Sequence, residues 1–228
     1  MIIKGQKLRG REPQKNTLYT IQACDSPVQF KETHKENSAT ETVELIFRLC
    51  EKQYGVYGQE YVSPLLTAQG RKAVDILAIC IDEEQQKYSR YLLDVKQKVE
   101  GVDELIHLLE QLQASCQYSD DIIHYLDGYE GRDCFGVITS LYSQEKFKKY
   151  IKNTEAKAKE VAQEQLKVPV LLRKKMELEF LSEKKKAAYV KNFLDRKLVI
   201  SDKEYTVEVY LMEEKAEDEY AYKLEVKI

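Results

Sequence analysis

The sequence predicts an α/β protein: a mixed central β-sheet flanked by helices, followed by a small α+β appendage at the C-terminal end. Three observations carry that expectation. Two short apolar runs, Ala73-Val74-Asp75-Ile76-Leu77-Ala78-Ile79-Cys80-Ile81 and Tyr91-Leu92-Leu93-Asp94-Val95-Lys96-Gln97, enclose a polar stretch at 82–90 and read as a strand hairpin. Val102, Leu105, Leu108, Leu109 and Leu112 then recur at helical spacing. Cys134-Phe135-Gly136-Val137-Ile138-Thr139-Ser140 reads as a further buried strand, and a charged helix over 144–166 follows it.

In chain order, residues 1–16 are polar and basic and read as an arm, and 17–23 read as a strand. Ser38-Ala39-Thr40-Glu41 fits a capping box, with Val43, Ile46, Phe47 and Cys50 at helical spacing behind it and Gly55 as a stop, so a helix is expected over 38–55. Glu44 lies beside that apolar stripe and has no role in the cap. Residues 56–66 read as a strand closed by Pro64, and 115–131 as mixed with a short helix. Pro169 marks a boundary. Beyond it, Met176, Leu178 and Phe180 alternate with Glu177 and Glu179 as on a half-buried strand, and 182–196 read as a helix. Two alternating strands follow, one with Tyr205, Val207, Val209 and Leu211, the other with Tyr220, Tyr222, Leu224, Val226 and Ile228. An acidic hairpin loop is expected between them. The expected domains are therefore 1–37 (arm and strand packed on the core), 38–167 (core) and 168–228 (an appendage for specificity or dimerisation).

Composition narrows the function classes. The 228 residues contain no apolar run near the ~20 needed for a membrane helix, and the first residues lack the apolar core of a signal peptide. The expectation is a cytoplasmic protein with no membrane partner. The five cysteines form no C-x-x-C pair, and His34, His107 and His124 are scattered, so a metal here would be held by oxygen. The net charge of −3 hides a basic block: residues 144–197 hold 16 Lys+Arg against 8 Asp+Glu, while 198–228 hold 4 against 9. A basic block behind a carboxylate-bearing core could grip a phosphate backbone; a solvated helix surface is the plainer alternative.

Chemistry concentrates in the hairpin. Side chains alternate across a strand, so Asp94 and Lys96 share a face, and a lysine and a carboxylate among apolar neighbours are costly to bury unpaired. Either they are edge residues joined in a salt bridge, or they serve a site. A phosphodiester site has the right needs, because a divalent cation held by carboxylates both activates water and relieves charge on the phosphate. Asp75 and Asp94 would be the principal ligands of Mg²⁺ or Mn²⁺, Glu44 would complete the shell, and Lys96 would orient water or stabilise developing charge. Gln97 points to the opposite face from Lys96 and is at most an outer contact.

These residues in this order resemble the PD-(D/E)XK nuclease superfamily, in its restriction-endonuclease-like, Mrr-like branch. Glu44 resembles the family's helical acid, and Val74-Asp75-Ile76-Leu77-Ala78 its aspartate segment, with Val74 where a proline is common. Leu93-Asp94-Val95-Lys96-Gln97 resembles the acid-x-lysine strand, and Phe135-Gly136-Val137-Ile138-Thr139-Ser140 the strand that follows. The resemblance spans about residues 38–150. It implies a restriction-endonuclease-like core and a metal-dependent endonuclease acting on DNA rather than RNA, in restriction, phage defence or a mobile element. It also implies Glu44, Asp75, Asp94 and Lys96 as catalytic, and the Val95 backbone carbonyl as a further metal ligand. A homodimer or a partner subunit would suit cleavage of two strands. A nucleic-acid-binding or assembly module that keeps the fold without cleaving is the alternative.

Overall fold

The computed structural model describes residues 20–22, 28–36, 39–48, 53–58, 74–164, 170–217 and 219–227. The expected arm at 1–16, part of the strand at 17–23, the cap residue Ser38, the stretch 59–66 with Pro64, and Pro169 lie outside them. The described strands are β1 (Thr20–Gln22), β2 (Val28–Glu36), β3 (Ala39–Arg48), β4 (Gln53–Gly58), β5 (Ile76–Asp82), β6 (Lys87–Val99), β7 (Glu130–Tyr142), β8 (Lys197–Ile200), β9 (Lys203–Leu211), β10 (Glu213–Ala216) and β11 (Glu219–Lys227). The helices among these residues are α1 (Val102–Ile123), α2 (Gln144–Glu164) and α3 (Val170–Leu194).

The α/β class holds, with two mixed sheets rather than one. The larger has seven strands in the order β1-β4-β5-β6-β7-β9-β8, the smaller four in the order β10-β11-β3-β2. In the larger sheet β4, β5 and β6 form an antiparallel meander. The chain then crosses through α1 and returns as β7, parallel to β6, and β9 adds parallel to β7. A parallel neighbour requires such a crossover, because a tight turn can join only antiparallel strands.

The β5–β6 hairpin forms as its sequence suggests. Its turn is tighter than expected, spanning 83–86, and the Asp82 side chain accepts a 2.8 Å hydrogen bond from the Gln85 amide. Such a local bond is why aspartate favours turns. All seven residues of β5 are buried, so both its faces are covered. Leu77, Ile79 and Ile81 join Leu92, Phe135 and Val137 beneath Leu105, Leu108, Leu109 and Leu112 of α1. Ile76, Ala78 and Cys80 face the other way and join Leu93, Val95 and Ile138 against Val43 and Leu45 of β3. Each fully buried leucine here contributes roughly 1.5–3 kcal/mol.

The expected helix at 38–55 is instead β3 and β4. Thr40, Thr42, Val43, Ile46 and Phe47 are strand-favouring side chains. The period that matters is 2: Glu41, Val43 and Leu45 are buried, while Thr40, Thr42 and Glu44 are half-buried. Pairing on both edges fixes the strand, antiparallel with β2 and parallel with β11. The strand expected around Met176–Phe180 is likewise replaced by the backbone of α3, one helix from Val170 to Leu194. Leucine, lysine, methionine and glutamate dominate that stretch, and all are strong helix formers.

The segment 168–228 supplies strands to both sheets. The two closing strands do not form a hairpin with each other: β9 lies in the larger sheet and β11 in the smaller, where β11 pairs with the short β10.

Candidate active site

The site begins where β5 begins. Asp75 sits just before the first residue of that strand, and the preceding amide, Val74 N–H, donates a 2.9 Å hydrogen bond to the buried Ser115 hydroxyl of α1. The helix thereby fixes the backbone that presents Asp75. Asp94 lies opposite on β6, one residue past the Ile76–Leu93 pair. It shares the face of Leu92, beneath α1.

The two aspartates are tied through the backbone of each other's strands. The Asp75 amide donates to Asp94 Oδ1 at 3.3 Å, and the Val95 amide donates to Asp75 Oδ2 at 2.7 Å. Each carboxylate is held by its neighbour's strand, so the pair depends on the hairpin register. Lys96 Nζ stands 2.7 Å from Asp94 Oδ2, and that oxygen accepts no well-aligned hydrogen bond despite the ion pair.

Burial differs sharply within the trio. The Asp94 side chain is wholly buried, while Lys96 keeps 30% of its side chain exposed and so reaches the mouth of the site. Burial pushes the Asp94 carboxyl up to about 8; the Asp75 charge adds to the rise and the Lys96 ammonium opposes it. An acid with a raised pKa beside a second acid and a lysine is a candidate functional group on physical grounds.

Three of the four catalytic residues expected from sequence, Asp75, Asp94 and Lys96, are therefore brought together. Glu44 is not among them. It lies on β3 of the smaller sheet, on the face opposite Val43 and Leu45, with Lys223 Nζ at 3.1 Å. A helix would have aimed Glu44 along the core edge; the strand turns it away from the hairpin. Gln97 contributes its backbone: its carbonyl accepts the Thr139 and Ser140 hydroxyls at 3.1 and 2.5 Å. Val95 enters through its N–H.

The donor set can be tested against a divalent cation. Asp94 Oδ2 is buried and poorly satisfied, and two neighbouring carboxylates share a low-dielectric site, which a cation would relieve. Among the described residues no group of three or more His, Cys, Asp and Glu side chains is gathered for a metal. Mg²⁺ commonly binds through one or two carboxylates with retained waters, so Asp75 and Asp94 fit that ion without a third acid.

Sequence reasoning missed Ser115, which anchors the hairpin from α1, and Arg90. The sequence places Arg90 at the end of the polar connection, yet it is buried on β6 and satisfies its guanidinium four ways. It bonds Asp133 Oδ1 at 2.7 Å, Asp120 Oδ1 at 2.6 Å, Ser119 Oγ at 2.8 Å and the Cys116 carbonyl at 3.1 Å. It clamps β6, β7 and α1 together two turns of pleat below Asp94. Its only sequence signal was an arginine in a strand-like stretch.

Comparison with protein-family models, with curated proteins and with solved structures finds no significant match. No helix among the described residues is long and apolar enough to cross a membrane.

Proposed function

We propose that this chain is a metal-dependent phosphodiesterase, an endonuclease of the PD-(D/E)XK type acting on DNA in restriction, phage defence or a mobile element. The observation that carries the reading is the convergence of Asp75, Asp94 and Lys96 at one end of the β5–β6 hairpin. The antiparallel meander, the α1 crossover and the parallel β7 are consistent with the core that the resemblance implies.

Asp75 and Asp94 would hold Mg²⁺ or Mn²⁺, with the Val95 carbonyl as a further candidate ligand. When bound, the ion supplies charge neutralisation at the phosphoryl group and a more acidic water. The chain's own residues set the rest. The Val95 N–H fixes Asp75, the Asp75 N–H fixes Asp94, and Lys96 at the mouth places a positive charge where a phosphoryl oxygen would arrive. Glu44 has no part in this version of the site.

The direct test is cleavage of supercoiled plasmid with Mg²⁺ or Mn²⁺, comparing wild type with Asp94→Ala and Lys96→Ala. Loss of at least 100-fold in both variants is expected, on the order of one preorganised electrostatic contact. Equal activity in all three sinks the site. The second reading, a binding or assembly module without cleavage, is favoured by one feature: among the described residues the site gathers two acids, not three. That reading expects unchanged nucleic-acid affinity in EDTA and no cleavage by wild type.

A further inference from the structure

A second polar site lies at the same end of the larger sheet. In the β6–β7 ladder Lys96 pairs with Thr139 and Val99 pairs with Tyr142, so Tyr142 is three residues further along, roughly 10 Å at strand rise. There a cleft opens between the start of α2, the end of α3 and the end of β9, lined by Tyr142, Ser143, Glu145, Arg196 and Leu211 among others. Two of its polar atoms are buried without a hydrogen-bond partner: the Tyr142 hydroxyl and Arg196 Nη1.

The position of Arg196 is closely determined. It follows the last turn of α3 with φ of 60°, a backbone conformation usually given to glycine or asparagine at a helix end. Its amide donates to the Phe193 carbonyl at 2.9 Å, and its own carbonyl accepts the Val207 amide at 3.0 Å. The guanidinium carbon stands 5.5 Å from the centre of the Tyr142 ring, which itself packs on Phe147 and Phe193. A cation–π contact draws on the guanidinium's charge and supplies no oxygen acceptor to its N–H donors. No ion-pair partner for Arg196 is present among the described residues. The acid in the cleft wall, Glu145, has Lys148 Nζ at 3.2 Å.

A buried charged donor left unpaired is costly, more so than a neutral one. A planar guanidinium edge beside a hydroxyl matches the geometry of a phosphoryl group. We propose that this cleft binds a phosphoryl oxyanion of nucleic acid, with the Arg196 guanidinium and the Tyr142 hydroxyl as donors. That ligand rests on the endonuclease reading above. The cleft would hold a phosphate a few nucleotides from the one at Lys96, given about 3.4 Å of axis per phosphate on one strand. It would thereby set the direction in which the strand crosses the hairpin.

The test measures binding of the full chain to a fluorescent DNA duplex in EDTA across a salt series, for wild type, Arg196→Gln, Tyr142→Phe and Asp94→Asn. Parallel arms use the duplex with and without a 5′-phosphate, and competition by inorganic phosphate. Arg196→Gln should weaken binding about 10-fold and lower the salt slope by about one. Tyr142→Phe keeps the ring under Arg196 and should weaken binding about 3-fold, which guards against a folding defect in the arginine variant. Arg196-dependence without a 5′-phosphate assigns the cleft to an internal diester; dependence only with it assigns a terminal monoester. Wild-type affinity and salt slope in both variants overturns the proposal, whatever the plasmid assay gives. Arg196-dependent binding alongside an uncut plasmid keeps the cleft and removes the nuclease reading. Duplex binding that ignores Arg196 while an acidic peptide requires it also overturns the proposal and points to a protein partner.

Discussion

Replacing Asp94 by asparagine should change the pH dependence of stability in a defined direction. In the folded metal-free protein the Asp94 carboxyl is pushed up to about 8 by burial, then by Asp75. Unfolding returns it to the ordinary value near 3.9. The folded state therefore binds the extra proton, and stability present at pH 4 is lost progressively as pH rises through about 8. A shift of about four units sets an upper bound of roughly 6 kcal/mol. Local relaxation and water entry reduce that bound, since effective dielectric constants at buried sites run near 20 rather than 4, and about 1–3 kcal/mol is expected. Asparagine mimics the neutral acid in shape and can still accept the Asp75 amide. Urea unfolding in EDTA at pH 5, 6.5 and 8 should therefore show wild type falling relative to Asp94→Asn. Adding Mg²⁺ at pH 8 should restore wild type and leave the variant unmoved, by the usual mass-action linkage. Parallel pH profiles for the two proteins would refute the argument that Asp94 is a buried, destabilised carboxylate.

Other consequences follow from the same contacts. Glu44→Gln should alter any plasmid cleavage less than 3-fold, because Glu44 lies in the other sheet beside Lys223; a loss comparable to that of Asp94→Ala would restore it to the site. Gly136→Ala should destabilise by about 1–3 kcal/mol in chemical unfolding. A Cβ there would stand 2.7 Å from the Tyr210 ring, 3.0 Å from Leu93 and 3.2 Å from the Glu208 carbonyl, between two strands that cannot part cheaply. Burial holds the Cys80 thiol up to about 12 and the Cys116 thiol up to about 11, so at pH 8 both should resist alkylation in the folded chain. Mass-spectrometric labelling at rates matching the urea-unfolded chain would contradict their burial.

The hairpin was legible because its information is local. The residues of β5 and β6 are apolar in short runs, and Asp82 sits where a turn needs a side-chain acceptor. Asp75, Asp94 and Lys96 come together through the register of adjacent strands, and that register follows from the turn between them. The helix α1 was legible for the same reason, its apolar spacing being regular over several turns, and α2 was legible as a long charged stretch after a buried strand.

The stretch around Glu44 was ambiguous locally. Ser38, Glu41, Val43, Ile46, Phe47 and Cys50 satisfy a helical pattern, while Glu41, Val43 and Leu45 satisfy a strand pattern equally well. What separates them is distant: β11, with Tyr222 beside Val43 and Leu224 beside Leu45, lies far along the chain and supplies one whole edge of the ladder. Local propensity differences of a few tenths of a kcal/mol per residue cannot stand against hydrogen bonds and burial on both sides of a strand.

Sequence by itself determined the α/β class, the hairpin and the shared face of Asp94 and Lys96, because strand alternation and turn chemistry set these. Tertiary structure decided the rest: that β3 is a strand, that Glu44 faces away, that Ser115 anchors the start of β5, and that Arg90 is a buried clamp. It also joined Tyr142 to Arg196 across 53 intervening residues, which include α2 and α3. Each of these depends on which distant surface covers a residue, and that is a property of the assembled core rather than of any window of the chain.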